Sequence, residues 1–414
     1  MKISIFASRL TLGLALVLGS APLAAAQPAG AEDPRTQARN HVGPFYLTPA
    51  LQLHNIGVDT NVFNTSVNPK SDFTFTVGPQ ADVWLPMGRR ALLKTTGGAD
   101  LVYFQTYSSE RSINPHALVR GELYLQRLTL FAENDWLNTR QRPNYEIDAR
   151  ARRLENTIRL GGELRLSPKF SLELAGRQSL VKFDGDASFS GSYLEQSLNR
   201  DSRGASANVR YHWTPLTTFA VRTDVSQERF VYSPLRDADT LRIQPGVEFK
   251  APALIVGSAY VGVRRLVALH EELPGFRGMV ATARLRFRLP AAAVLEVSGD
   301  RDLAYSYDPH RPYFVVNGYG LSVRRRIVGR FDASVAGLRQ RYSYRDLAVS
   351  DPTPSPPAVA REDATVVYSA SLGYALNRET RMSFDVSRVK RSSTTEEYAA
   401  YEGFRVGTSV AYGF

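Results

Sequence analysis

From Gly278 to Pro290 the chain reads GMVATARLRFRLP, and its apolar and charged positions alternate. Met279, Ala281, Ala283, Leu285, Phe287 and Leu289 fall on one face, and Thr282, Arg284, Arg286 and Arg288 on the other. Successive side chains of a strand point to opposite sides, so this spacing predicts a strand with one apolar and one polar face. Leu154, Ile158, Leu160, Leu164 and Leu166 alternate in the same way with Arg159, Glu163 and Arg165. Ala205, Ala207, Val209, Tyr211 and Trp213 oppose Asn208, Arg210 and His212, and Leu241, Ile243, Val247 and Phe249 oppose Arg242, Gln244, Glu248 and Lys250. Charge at alternate positions excludes a sheet buried on both faces, whereas an apolar outer face suits lipid. The chain ends in the same pattern, with Phe404, Val406, Thr408, Val410, Tyr412 and Phe414 on one face. A terminal strand patterned to its last residue is expected to be paired, and a closed barrel zips its last strand to its first.

Connectors of two kinds separate these stretches. Short turns are expected around Pro86, Gln126, Pro168, Pro215, Pro252, Pro290, Gly329 and Arg378, about forty residues apart. Longer polar segments lie between them, at 64–72, 107–114, 138–151, 184–201, 232–239, 270–276, 306–312, 351–363 and 392–399. Eight turns and nine loops join eighteen strands, the alternation expected of an up-and-down transmembrane barrel with both termini periplasmic. The registers near 92–105, 128–137 and 331–342 do not resolve, which leaves sixteen strands as the alternative. A propeller or solenoid repeats at a similar period, but the aromatic residues argue for a membrane. Trp84, Phe170, Trp213, Phe249, Phe287, Tyr374, Phe384 and Phe414 lie near short turns or the chain end; Tyr103, Phe183, Phe230, Tyr305, Tyr313 and Tyr342 lie near long loops. Two such bands are what interfacial girdles require.

The N-terminus places this barrel. Lys2 and Arg9 precede the apolar run Leu10–Leu18 and then Ala24-Ala25-Ala26, the layout of a secretory signal cleaved after Ala26. The run is too short to cross ~30 Å of hydrocarbon. The expected organisation is a signal peptide at 1–26, a polar periplasmic lead-in at 27–46 and a barrel domain at 47–414 in a Gram-negative outer membrane. There is no cysteine, so disulfides, thiolate metal sites and cysteine nucleophiles are excluded. The formal charge of +11, two units of it in the signal, favours anionic solutes or lipopolysaccharide phosphates. The arginines are scattered through strands without a basic tail or recognition motif, so nucleic acid is not an expected partner.

A barrel enzyme would need catalytic side chains at fixed spacing on its strands or loops. A phospholipase-type site needs His close to Ser on a strand, and the residues two places after the six histidines are Gly43, Ile56, Leu118, Thr214, Glu272 and Pro312. His212, inward beside Arg210, reads as a polar lumen residue, and Asp308-Pro309-His310 as a proline turn. Asp59, Asn61 and Asp72 could suit a hard cation, but Asx residues in a hairpin loop are more often turn formers. No catalytic, cofactor or metal site is therefore assigned. A TonB-dependent transporter would need a folded plug, and only Gln27 to about Leu47 precedes the first strand. The expected functional surface is the lumen wall: Arg159, Glu163, Arg165, Glu173, Arg177, Arg210, Arg242, Glu248, Arg284, Arg286, Arg288, Glu296 and Asp300. If the strand after Pro290 pairs in the simplest register, Glu296 faces Arg286. Open and filled barrels both carry such residues. The readings are a porin-like channel or a non-conducting structural or adhesive barrel, with an enzyme less favoured.

Two stretches carry a family likeness. GVDTNVFNTSVNPKSDF (57–73) and RDLAYSYDPHRPYFVVNGYGLSV (301–323) resemble the putative beta-barrel porin type 2 family. With the terminal strand, the likeness extends over essentially the mature chain. It implies an outer-membrane channel, and, for members encoded with exopolysaccharide or capsule operons, an exit for a polysaccharide with periplasmic export proteins as partners. The C-terminal aromatic pattern ending at Phe414 resembles the signal read by the barrel-assembly machinery. The family supplies no catalytic residues.

Overall fold

The computed structural model describes residues 38–347, 360–395 and 400–413. Eighteen antiparallel strands close into one barrel. They are β1 (Phe45–Asp59), β2 (Asp72–Met87), β3 (Ala91–Phe104), β4 (Ser112–Tyr124), β5 (Leu128–Thr139) and β6 (Arg153–Arg165). Next come β7 (Phe170–Phe183), β8 (Arg200–His212), β9 (Thr217–Phe230), β10 (Ala238–Phe249), β11 (Ile255–Ala268) and β12 (Phe276–Leu289). The last third comprises β13 (Ala293–Tyr305), β14 (Tyr313–Val328), β15 (Phe331–Arg345), β16 (Glu362–Ala375), β17 (Thr380–Ser393) and β18 (Tyr401–Tyr412). A short strand, Asn40–Val42, folds back on the start of β1, and the β7–β8 loop holds a two-residue hairpin and the helix Leu194–Leu198. Among the described residues each strand pairs with its sequence neighbours, and the only long-range pairing is the closure itself.

That closure runs from Leu51↔Tyr412 to Asp59↔Arg405. A bulge interrupts it between Leu53 and Ile56, where Asn55 adopts φ 56°. Asn is among the few side chains that tolerate this region. Beyond the bulge the backbones come so close that a Cβ on Gly57 would sit 2.0 Å from the Val406 carbonyl oxygen. Only glycine fits there. The Pro-rich 351–363 loop is described only from Ala360 onward, residues 396–399 of the last loop are not described, and Phe414 lies just outside the described residues.

The three segments whose registers the pattern left open are β3, β5 and β15, and each has a local reason. In β3 the stretch TTGGA (95–99) is small on both faces. In β5 the outward position Asn134 is polar and is satisfied by a hydrogen bond to Asn156 at 2.7 Å. In β15 the alternation inverts near the long-loop end: Leu338, Gln340 and Tyr342 are buried, while Arg339 and Arg341 are exposed.

The expected aromatic bands need correction. Phe170, Trp213 and Phe384 are exposed on the outer face near the short turns, as an interfacial girdle requires. Trp84 is instead buried, on the inward-facing side of β2. Of the second band, Phe183, Phe230, Tyr313 and Tyr342 are also buried, and Tyr305 packs edge-on against Phe230 with centroids 4.9 Å apart. These rings fill the mouth and do not face lipid. Distance from a turn fixes depth, but only register and loop packing decide which side a ring occupies.

Candidate functional site: a charged lumen beneath an inward loop

Each lumen residue named from the sequence lies on the polar face of its strand, opposite the exposed apolar face. The structure joins many of them into one chain of ion pairs. Arg120 on β4 meets Glu133 on β5 at 2.8 Å, and Glu133 meets Arg159 on β6 at 3.3 Å. Arg159 reaches Glu173 on β7 at 3.4 Å, and Glu173 reaches Arg210 on β8 at 2.9 Å. Arg210 also approaches Glu163 at 3.6 Å and Glu248 at 3.8 Å, and Glu248 binds Arg222 at 3.0 Å. Arg222 stacks 3.7 Å from the ring centre of Tyr260 on β11, whose hydroxyl donates to Glu248. Nearer the long loops, Arg242 meets Asp224 at 3.5 Å and Asp302 at 3.0 Å, and Arg264 meets Asp302 at 2.7 Å. Arg120–Glu133, Glu133–Arg159 and Arg242–Asp224 join register partners on neighbouring strands, and the remaining pairs reach diagonally or across an intervening strand.

Across β12 and β13 the arrangement differs. Arg286 faces Glu296 in register and bonds it at 2.7 Å, with both side chains nearly half exposed. Arg284 and Arg288 are exposed and form no ion pair among the described residues; Arg288 donates to the Pro252 carbonyl at 3.4 Å. Asp300 sits in register with Thr282 and Gly318 and has no arginine opposite it. Arg165 lies at the short-turn end of β6. Arg177 faces Arg159 across β6–β7 and Gly204 across β7–β8, with no acid directly opposite. One sector of the wall is thus internally neutralised, and on β12 Arg284 and Arg288 face water without an ion pair among the described residues, Arg284 within electrostatic reach of Asp300.

The long β5–β6 loop, 140–152, was legible from the sequence only as a polar connector. It folds into the barrel mouth. Asn144, after Pro143, accepts the backbone N–H groups of Glu146 and Ile147 at 2.8 and 2.9 Å, an Asx turn that projects the tip. Arg142 donates to the Val62 carbonyl at 2.7 Å in the β1–β2 loop, and Gln141 to Asp100 on β3 at 3.1 Å. On the far side, Arg391 of β17 donates to the Glu146 carbonyl at 3.2 Å. Ser306 of the β13–β14 loop donates to the Glu146 carboxylate at 2.5 Å. Partners at β1, β3, β13 and β17 lie around most of the circumference, so the loop must cross the interior to reach them. Ile147 packs with Ala151, Phe183, Ala187, Leu194, Leu198 and Tyr307 in a buried cluster. Arg236 pins the surrounding loops, donating to the carbonyls of Ser197, Ser306 and Asp308 at 3.0, 2.5 and 2.6 Å. The signal in the sequence was the apolar residues Tyr145, Ile147, Ala149 and Ala151 alternating with arginines and acids in a polar connector.

Glu146 is fully buried, and one of its carboxylate oxygens has no hydrogen-bond partner among the described residues. Burial pushes its carboxyl up to about 7, against the Ser306 hydroxyl and the guanidinium groups of Arg361 and Arg391, with Asp363 adding to the rise. Burial also raises Asp148, opposed by Arg142 and Arg391. The docked loop therefore holds a proton that the free loop, with Glu146 near 4.5, would release. Docking is strongest below that free value and weakens as pH rises through about 7. Tryptic cleavage within 140–152 of the folded barrel should accelerate from pH 5.5 to pH 8, and Glu146→Gln should flatten that increase. A wild-type rate with the same pH profile as the variant would remove Glu146 as the sensing group.

The histidine and Asx candidates have structural duties. His212 shares a 3.0 Å hydrogen bond with Thr218. Asp72 accepts backbone N–H bonds from Phe73, Thr106 and Tyr107, and Asn61 donates to the carbonyls of Thr65 and Glu402. Asp308 accepts the His310 N–H at 2.9 Å.

A closed antiparallel barrel with an apolar belt, a charged interior and a loop folded into its mouth is an outer-membrane barrel of the porin class. The chain belongs to the family described as putative beta-barrel porin 2, whose model matches residues 33–413. Among solved structures it is similar to OccAB4 of Acinetobacter baumannii, at 9% identity and a TM-score of 0.47, covering 88% of this chain and 97% of that chain. It is also similar to the outer membrane protein opdK of Pseudomonas aeruginosa, at 8% identity and a TM-score of 0.45, with the same coverage. A third similar structure is the siderophore receptor PirA of Pseudomonas aeruginosa, at 8% identity and a TM-score of 0.42, covering 88% of this chain and 79% of that chain. No curated protein matches the chain.

Proposed function

We propose that this porin-like barrel is a passive, anion-preferring conduit for small solutes, narrowed at its outer mouth by the 140–152 loop. The observation that carries the reading is the exposed pair Arg284 and Arg288 on the inward face of β12, neither of them in an ion pair among the described residues, with Asp300 within electrostatic reach of Arg284 only. Sixteen to eighteen strands leave room for water, and charged side chains on a pore wall set its selectivity. The ion-paired sector from β4 to β11 contributes stiffness and little net field. In a salt gradient across a planar bilayer, the reversal potential should report anion preference. Arg284→Ala/Arg288→Ala should move the anion/cation permeability ratio toward unity. An unchanged ratio in a conducting variant would discard these arginines as selectivity residues. Complete absence of current would favour a non-conducting structural or adhesive barrel.

Passage of an exopolysaccharide or capsule chain, which the family resemblance implies, would require the loop to leave the mouth. Unchanged surface polysaccharide after gene deletion, alongside reduced small-solute uptake, would exclude that version. The same reading includes removal of residues 1–26 on export and delivery to the assembly machinery through the C-terminal strand.

A further inference from the structure

The outer face of the barrel holds an arrangement that the pore reading does not use. Arg265 on β11 and Arg277 on β12 are direct register partners. Both side chains are exposed, on the same face as Val261, Val263 and Met279. Neither has an ion pair or side-chain hydrogen bond among the described residues, and the acids Glu271 and Glu272 of the intervening loop bond neither. Like charges directly opposite each other on adjacent strands are destabilising unless something neutralises them. Elsewhere on this face several arginines meet acids: Arg203 with Asp201, Arg229 with Asp239, Arg341 with Glu362 and Arg388 with Glu402.

Depth gives the arrangement its meaning. Arg265 and Arg277 lie ten and twelve residues from the short-turn ends of their strands. At ~3.4 Å per residue and a tilt of ~40°, that is roughly 26–31 Å along the barrel axis, the far edge of a ~25 Å apolar band. Below them Val261, Val263 and Met279 are 51%, 56% and 56% exposed, a platform of the right character for acyl chains. The local wall is also unusual. β12 and β13 pair only from Ala281↔Arg301 to Leu289↔Ala293, so the upper edge of β12 is open, and Arg301 caps it by donating to the Met279 carbonyl at 3.0 Å. A third outward guanidinium therefore stands beside the pair.

We propose that Arg265 and Arg277 bind the phosphate of a phosphorylated glycolipid headgroup in the outer leaflet, whose chains lie on Val261, Val263 and Met279. Two guanidinium groups facing one anion form charge-assisted, fork-like hydrogen bonds, and they relieve their own repulsion in doing so. The bound lipid covers the open upper edge of β12.

The test uses the full-length barrel folded in detergent micelles. Native mass spectrometry would measure binding of diphosphoryl lipid A, its dephosphorylated counterpart and inorganic phosphate. The expected result is lipid A binding to the wild type and roughly tenfold or greater weakening for Arg265→Gln/Arg277→Gln. The dephosphorylated lipid should bind the wild type as weakly as lipid A binds the variant. Equal lipid A affinity for wild type and variant overturns the proposal, as does equal affinity of the wild type for the two lipids. Competition by millimolar inorganic phosphate as effective as that by lipid A would make this a free-anion site and also overturn it. Removing a repulsive pair should leave folding intact, and heat-modifiable gel mobility verifies that. If the double variant does not fold, the single variant Arg277→Gln carries the same comparison.

Discussion

Replacing Asn144–Asp148 with two glycines should raise single-channel conductance several-fold. In the intact protein these residues occupy the mouth: Glu146 is held by Ser306 and Arg391, and Ile147 is 1% exposed in the cluster with Phe183 and Leu194. An eighteen-stranded wall without such a filling encloses an aqueous channel, so on the proposed reading the loop obstructs the path that a solute takes. The barrel itself should survive the change, because no strand pairing runs through 140–152 and the β5–β6 ladder ends at Thr139↔Arg153. Arg391 keeps its 2.7 Å bond to Asp363, and Asp363 keeps Arg361 at 2.9 Å, so these two buried arginines retain an acid partner after the deletion. Planar-bilayer recordings of both forms provide the comparison. Conductance equal to that of the wild type would mean that the loop does not limit flow, and the pore reading would then need a different constriction.

The second large effect is expected at Arg210. Its side chain is buried at the junction of Glu163, Glu173 and Glu248, which it approaches from three directions. Arg210→Ala leaves three neighbouring carboxylates short of their shared counter-charge. Breaking a buried ion pair by removing one partner typically costs about 3–5 kcal/mol. Arg284→Ala, at an exposed position without an ion pair, should fall within about 0.5 kcal/mol of wild type. Urea unfolding in lipid vesicles would resolve that difference. Adding Glu173→Gln to Arg210→Ala should restore part of the loss, because one uncompensated carboxylate disappears. Equal stabilities for Arg210→Ala and Arg284→Ala would show that the girdle contributes no net stability.

These two sites differ in how far the sequence reveals them. Arg210 could be placed on the lumen wall from alternation alone, as could Arg159, Glu173 and Glu248, because a two-residue period fixes which side a side chain occupies. The pairing of Arg286 with Glu296 followed from counting outward from the turn at Pro290. The failures come where that period is not the governing rule. Arg339 and Arg341 break the apolar face of β15 because they lie near the loop end, at headgroup depth, where charge is tolerated outside. Trp84 and Tyr342 were expected at the lipid boundary, but position along a strand specifies depth and not side.

Alternation of turns and loops, polar interior and apolar exterior were therefore determined by the sequence itself, since each is a local property of strands in lipid, whereas eighteen strands rather than sixteen was decided by the structure. The folding of 140–152 into the mouth, the burial of Glu146 against Ser306, and the confrontation of Arg265 with Arg277 were decided only by tertiary structure. The first two join residues separated by more than a hundred positions and depend on which strands face each other across the closed barrel. The third depends on a register set by the geometry of the β11–β12 loop. No local period encodes the first two, because the energy that selects them comes from contacts that exist only once the barrel has closed.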